Sequence, residues 1–339
     1  MSRLTVGLVG CGGISRAHAR GYRALRDLVR VTAVCDPDRA RAEERARDLE
    51  GAQIFTDYDE FLAHAGVDAV DLCLPHALHA PAAIQAAQAG KHILVEKPIA
   101  TTLAEADAMI AAARAAGVTL MVAHNQRYDP LYQTVKRLLE EEALGPILCA
   151  RADHNQDFQR PPGHWLRENR LAGGGVVIGS GIHRLDLLRW LVGEITAVAS
   201  FQTYQPARLE GEVAAVLSLQ FANGSVGEVV ANWAVRRSPW GELLFLTGER
   251  GVLHNVGGLF LATPETNGAF QAVPVPPGDS FAEEIRHFVQ CVTEGRTPLT
   301  DGLEGRRSLE VCLAAYRSAR TGQVVRLPLA GDEPLEGGR

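Results

Sequence analysis

The chain has 339 residues, 46% of them apolar, enough for two domains of ordinary size with buried cores, which excludes a disordered polymer and a disulfide-stapled mini-protein. Its 34 basic and 40 acidic residues leave a net charge of −6, and neither sign gathers into a run that could follow a phosphate backbone, so nucleic acid is not an expected partner. Six scattered cysteines (Cys11, Cys35, Cys73, Cys149, Cys291 and Cys312), with no C-x-x-C pair, point to reduced thiols in a cytoplasm; no metal site and no disulfide framework is expected. The start has no long apolar leader and no stretch reaches 18 apolar residues, so no membrane partner is expected.

Short apolar runs at 4–9, 31–35, 69–74, 92–95 and 119–122 alternate with Ala- and Arg-rich stretches at 39–49, 81–89 and 103–116 whose apolar residues recur at three and four. That alternation predicts a doubly wound parallel sheet covered by helices, a dinucleotide-binding domain over 1–123. After a helix over 131–142 and a Gly-rich helical segment over 173–192, runs at 214–221, 226–234 and 243–246 are separated by Asn223-Gly224 and Ser238-Pro239-Trp240-Gly241. Turn residues at such spacing favour an antiparallel sheet. Two helices, 281–294 and 302–320, close an α+β domain over 124–330, and the polar tail over 331–339 is expected to fray.

The first apolar run ends in Gly10-Cys11-Gly12-Gly13-Ile14-Ser15 and opens into a helical stretch. Gly10 permits a tight turn, Gly12 lets backbone approach a pyrophosphate, and the helix start supplies amide donors. Ser15 holds the third fingerprint position and is small enough for close packing. Asp36, 21 residues after Ser15 and ending the second run, suits adenosine ribose hydroxyls, so NAD is expected over NADP; Arg39 and Arg41 leave NADP open. The competing role for Asp36 is a helix N-cap.

Only Lys91, Lys97 and Lys136 are lysine among the 34 basic residues. Arginine therefore does most of the charge work, and a lysine in an apolar setting is informative because it can lose its proton. Lys97 follows the 92–95 run within Glu96-Lys97-Pro98, at the sheet edge where this fold class places its ligand; the alternative is a Glu96 salt bridge with Lys97 merely solvated. In the second half, Gly179, His183 and Asp186 share a helical face by spacing, and His183 is the natural general base. The glycines at 173–175 allow another backbone or a ligand to come close.

These pieces together resemble the Gfo/Idh/MocA family of NAD(P)-dependent sugar and cyclitol oxidoreductases. The likeness covers nearly the whole chain: the Gly10 fingerprint, Asp36, Leu74-Pro75 with His79, Glu96-Lys97-Pro98, His124 to Tyr128, and the Gly-rich stretch ending in His183-x-x-Asp186. It implies a Rossmann domain joined to a large open, mainly antiparallel sheet domain, assembled through that sheet into homodimers or homotetramers. It implies that Gly10, Gly12, Gly13, Ile14, Asp36, Leu74, Pro75, His79, Glu96, Lys97 and Asn125 line the cofactor, and that Lys97 and His183 are catalytic and meet at one ligand atom. Arg127, Trp165 and Gly179 fall near the substrate. Many members carry aspartate four residues before the histidine where this chain has Gly179, and its loss would leave room for a bulkier group.

The polar stretch 153–170, with His154, Asn155, Asp157, His164, Trp165 and Arg167, mixes donors, acceptors and a ring in a way that suits a polyol or sugar; an ordinary surface loop is the plain alternative. The reading that results is a dehydrogenase passing hydride between a secondary alcohol of a sugar, glycoside or cyclitol and nicotinamide. Two alternatives stand beside it: cleavage of a glycoside through transient oxidation by NAD, and a non-catalytic NAD-binding sensor.

Overall fold

Six buried strands pair in parallel in the first unit of the computed structural model, which describes residues 3–329. They are β1 Leu4–Val9, β2 Val29–Cys35, β3 Gln53–Phe55, β4 Ala69–Leu72, β5 His92–Glu96 and β6 Leu120–Ala123, in the order β3-β2-β1-β4-β5-β6. β4 and β6 are buried along their whole length, as a parallel sheet covered on both faces requires. The order reverses beside β1, and every strand points its carboxyl end to one edge. Helix starts follow local chemistry: Asp38 accepts from Ala40 and Arg41 to cap Arg39–Asp48, and Thr102 with Glu105 forms a capping box for Leu103–Ala116.

The unit is discontinuous. It comprises Met1–Tyr128 and Gly278–Arg306, while Asp129–Pro277 and the chain from Arg307 form the other. The sequence placed 278–306 with the second domain, but the Ser280–Glu294 helix turns Ile285, Phe288 and Val289 into the cluster that holds Val6, Leu8, Ala19 and Tyr22. Its apolar stripe therefore completes the first core, and the boundary falls inside the Gly302–Thr321 helix.

The second unit is built on nine strands: β7 Ile147–Asn155, β8 Ile195–Tyr204, β9 Glu212–Phe221, β10 Val226–Asn232, β11 Glu242–Gly248, β12 Val252–His254, β13 Phe260–Ala262, β14 Gln271–Ala272 and β15 Val325–Arg326. Their order is β14-β13-β12-β11-β7-β10-β9-β8-β15, antiparallel throughout except for β7 with β10. Asn223-Gly224 does join a hairpin, β9 to β10. The Ser238–Gly241 turn does not, because β7 lies between β10 and β11 and pairs with both. One sheet face packs beneath a π-helical turn, Val177–Gly181, and the Ile182–Leu191 helix that follows it. The other is open: Phe201 is 80% exposed and sits opposite Val216, 46% exposed, which sits opposite Val230. Among the described residues no helix is long and apolar enough to cross a membrane. The expectation for the tail 331–339 lies outside the described residues.

Candidate active site

The glycine turn after β1 is shaped by a steric demand. Gly10 has φ of +88°, and a Cβ there would lie 2.3 Å from the Cys73 carbonyl oxygen, so no other residue fits. Gly12 and Gly13 differ: a Cβ on either would meet nothing within 4 Å. The Ser15–Ala24 helix begins above this open cradle with exposed Ile14 at its N-cap and no side-chain cap on its amides. Buried Ser15 donates to the Gly12 carbonyl at 2.7 Å and fixes the turn.

Asp36 completes the cradle at the end of β2. One carboxylate oxygen accepts from the Cys11 amide at 2.7 Å and the other from Asp38 at 2.8 Å. It is not the helix cap, since Asp38 does that. Each oxygen keeps a second lone pair for a hydroxyl. Arg39 is paired with Glu43 and Arg41 with Asp38. An open glycine turn, an uncapped helix start and an acidic strand end fit a dinucleotide diphosphate and ribose.

At the same carboxyl edge β5 delivers Glu96 and half-buried Lys97. Glu96 is 6% exposed, with one oxygen 2.9 Å from His18 Nε2 and the other accepting the Lys97 amide at 3.1 Å. His79 is fully buried, with Nδ1 2.7 Å from the Pro98 carbonyl and Nε2 2.9 Å from that of Leu74. Burial pushes its pKa down against the pull of those two carbonyls. It ties the turn after β4, where half-buried Leu74 and Pro75 lie, to the segment following Lys97. Asn125 donates to Ser280 at 3.2 Å and remains half-buried. Arg127 is 2% exposed and donates to Glu304 at 2.8 Å; this ion pair anchors the 125–128 turn within the first unit.

In the second unit His183 is half-buried on the first turn of the Ile182–Leu191 helix. The π-helical turn before it breaks the α spacing on which a shared face with Gly179 was argued; such turns recur at functional sites. Asp186 is buried and accepts from Ser308 at 2.8 Å. Gly179 opens no room. A Cβ there would lie 2.3 Å from the Trp233 ring, which is 2% exposed, stacks on Phe158 at 4.2 Å and donates to Ser180 at 2.9 Å. Trp233 went unremarked in the sequence because nothing local links the end of β10 to a glycine 54 positions earlier.

The glycines at 174 and 175 make way for neighbours, as expected: a Cβ on Gly175 would meet the Glu212 backbone at 2.0 Å, and one on Gly174 the Tyr316 hydroxyl at 2.2 Å. Buried Glu212 accepts from the amides of Gly175 and Val177, at 2.9 and 2.7 Å, and from Tyr316 at 3.0 Å. It thereby holds the segment that leads to His183. Burial outweighs these donors and pushes its carboxyl up to about 7. A raised acid stabilises the fold fully below its ordinary 4.5 and loses that contribution as pH climbs through about 7, here on the order of 3 kcal/mol. The melting temperature of wild type relative to Glu212→Gln should therefore fall by roughly 5–10 °C between pH 4.5 and 8; a pH-independent difference would refute this.

His154 is not in a loop. It sits in β7 opposite Glu242, its Nδ1 3.6 Å from that carboxylate. Glu242 also pairs at 3.0 Å with fully buried Arg184, which donates to Tyr132 at 2.8 Å. Burial would raise the Glu242 pKa, but Arg184 and His154 outweigh it and bring it down to about 2. His154 thus lies on β7 beside the Glu242–Arg184 pair rather than in the connecting loop. Trp165 does lie in the connecting loop, half-buried and stacked on His164 at 5.9 Å.

Comparison with known proteins accords with this construction. Residues 4–124 match the oxidoreductase family model with an NAD-binding Rossmann fold, and residues 132–254 the Gfo/Idh/MocA C-terminal domain. D-apiose dehydrogenase of Paraburkholderia graminis is 32% identical over 96% of this chain and 90% of its own. The scyllo-inositol 2-dehydrogenase (NAD(+)) of Bacillus subtilis is 29% identical over 94% and 95%. Among solved structures, levoglucosan dehydrogenase in complex with NADH superposes with a TM-score of 0.90 at 26% identity, covering 96% of this chain and all of that one. The open glycine cradle, the strand-borne Lys97 and the histidine-bearing helix are thus those of a member of the Gfo/Idh/MocA family, to which this chain belongs.

Proposed function

We propose that this protein is an NAD-dependent dehydrogenase that moves a hydride between a secondary alcohol of a sugar, glycoside or cyclitol and nicotinamide. The observation that carries the reading is the pairing, on one carboxyl edge of the parallel sheet, of an open glycine cradle after β1 with Lys97 at the end of β5. Gly10, Gly12, Gly13, Ile14 and Asp36 bind the cofactor, with the Leu74-Pro75 turn and Asn125 beside them. NAD, when bound, takes up the hydride. Lys97 hydrogen-bonds the reacting oxygen and His183 removes its proton, so the carbinol carbon can form a carbonyl. The first unit is the dinucleotide-binding domain and the second the substrate-binding and assembly domain, with Trp165 offering a ring to the sugar's C–H face.

Asp36 with neighbouring Asp38 supports NAD over NADP, since the nearby Arg39 and Arg41 pair with local carboxylates. We place the protein in the cytoplasm, because its six cysteines are unbridged. The exposed Phe201, Val216 and Val226 on the open sheet support assembly into homodimers or homotetramers through that face.

The test is a panel of sugars, glycosides and inositols read by NADH fluorescence. Substrate-dependent NADH with NAD, weaker with NADP, is the expected result. A glycoside split with no net NADH would establish transient oxidation instead, and tight NAD binding with no turnover a sensor. Sedimentation of the same preparation as a monomer would remove the sheet interface.

A further inference from the structure

Behind Lys97 the first unit buries a set of ionisable groups that the mechanism does not use. His18, on the second turn of the Ser15–Ala24 helix, is fully buried. Its Nδ1 lies 2.8 Å from an Asp71 carboxylate oxygen and its Nε2 2.9 Å from Glu96. The other groups facing it are Cys73, just past β4, whose thiol lies 3.7 Å from Asp71; Tyr22, one turn along the same helix; and Glu284, fully buried on the Ser280–Glu294 helix, whose Phe281 ring packs on the imidazole at 5.5 Å. Lys97 touches this set through its amide, which donates to the second oxygen of Glu96.

The geometry determines the charges. A neutral imidazole has one N–H, and its bare nitrogen would face a carboxylate oxygen across less than 3 Å; only the imidazolium donates to both. Burial disfavours the charged forms, but Asp71 together with Cys73 holds the His18 pKa well above its ordinary value, and His18 together with Lys97 and His79 keeps the Glu96 carboxyl low. Burial pushes Glu284 and the thiol of Cys73 up, so both stay neutral. A protonated thiol is a poor metal ligand, although His18, Asp71 and Cys73 offer atoms within 4.8 Å of one another. Two carboxylates and one imidazolium leave a single buried negative charge directly beneath the lysine.

We propose that His18 is a positioning residue for Lys97: its positive charge keeps the buried Glu96 carboxylate ionised and clamps it in the place where it receives the Lys97 amide. The inference rests on the reading of Lys97 as the group that handles the substrate oxygen. Without His18, burial drives Glu96 toward its neutral form, and the carboxylate charge that helps Lys97 hold its proton is lost. Without Glu96 that charge is likewise lost, because the remaining Asp71 and His18 cancel each other. His79, which is coupled to both Glu96 and Lys97, is left in place in both variants.

The sequence offers a direct measurement. With only Lys91, Lys97 and Lys136 present, reductive methylation with 13C-formaldehyde gives few NMR signals, and Lys97 is assigned by its loss in Lys97→Arg. In the cofactor-free protein, His18→Gln and Glu96→Gln should each move the Lys97 titration midpoint down by about one pH unit. Glu284→Gln, which replaces one neutral group with another, should leave it in place. An unmoved midpoint in His18→Gln, or an equal shift in Glu284→Gln, overturns the proposal. Should His18→Gln not fold, Glu96→Gln decides: a downward shift supports it, none overturns it. The titration involves no substrate or cofactor, so its failure is separate from failure of the Lys97 assignment, which turnover of Lys97→Ala decides.

Discussion

Turnover of Lys97→Ala falls by roughly 10²- to 10⁴-fold, the usual contribution of a positioned acid or base, while NAD affinity changes by no more than about fivefold, the loss of one hydrogen bond at most. Fluorescence titration and steady-state kinetics separate the two. The split is expected because the cradle proposed for the dinucleotide is built from the glycine turn after β1 and from Asp36 at the end of β2, whereas Lys97 follows β5. Lys97→Arg should rescue little: it keeps the charge but cannot release a proton at any working pH. His183→Ala should cost about as much as Lys97→Ala, and the double variant hardly more than either, because groups that act on one proton transfer fail as a unit. Retained activity in Lys97→Ala would end the assignment, and multiplying losses would show that the two residues serve separate steps.

The parts of this fold that could be read from the sequence are those where backbone geometry dictates residue type. Gly10 had to be glycine because a carbonyl occupies its Cβ position, and the strand-then-turn context made it recognisable. The parallel strands could be read because burial on both faces makes them continuous apolar runs. β7 could not: a central strand bearing Arg151, Asp153 and His154 resembles a polar loop until its neighbours are known. In the fold, Arg151 pairs with Asp153 and with Glu228, and His154 faces Glu242. β3, three residues long, carries too little pattern to register.

Side-chain destinations were harder still. His79, Glu96 and Arg127 lie beside the motifs that bind ligand, yet the fold turns each inward, to two carbonyls, to His18 and to Glu304. Polar residues next to a site hold it in shape as often as they line it, and only distant partners distinguish the two. His18 is the reverse case. Its position one turn into the helix after the glycine turn gave no signal, because Asp71 and Glu96 are 53 and 78 residues away.

Gly179→Asp, which would restore the carboxylate common among relatives, is expected to damage the fold rather than complete the site. The new Cβ would fall 2.3 Å from one ring carbon of Trp233 and 2.7 Å from another, well inside van der Waals contact. The indole has no easy retreat, being held by its bond to Ser180 and its stack on Phe158. Overpacking of this kind costs about 1–3 kcal/mol, and a carboxylate in the same buried space adds several more, a large share of the stability of an ordinary domain. Gly179→Ala isolates the steric part and should lose less. Trp233→Leu alone should cost about 3 kcal/mol by leaving a cavity. Combined with Gly179→Asp, it should be milder than the sum of the two by roughly 1–3 kcal/mol, because the cavity accepts the new side chain. Urea unfolding of the four proteins measures that coupling. If Gly179→Asp unfolds within error of wild type, Trp233 is not the wall described, and the space beside Gly179 is open after all.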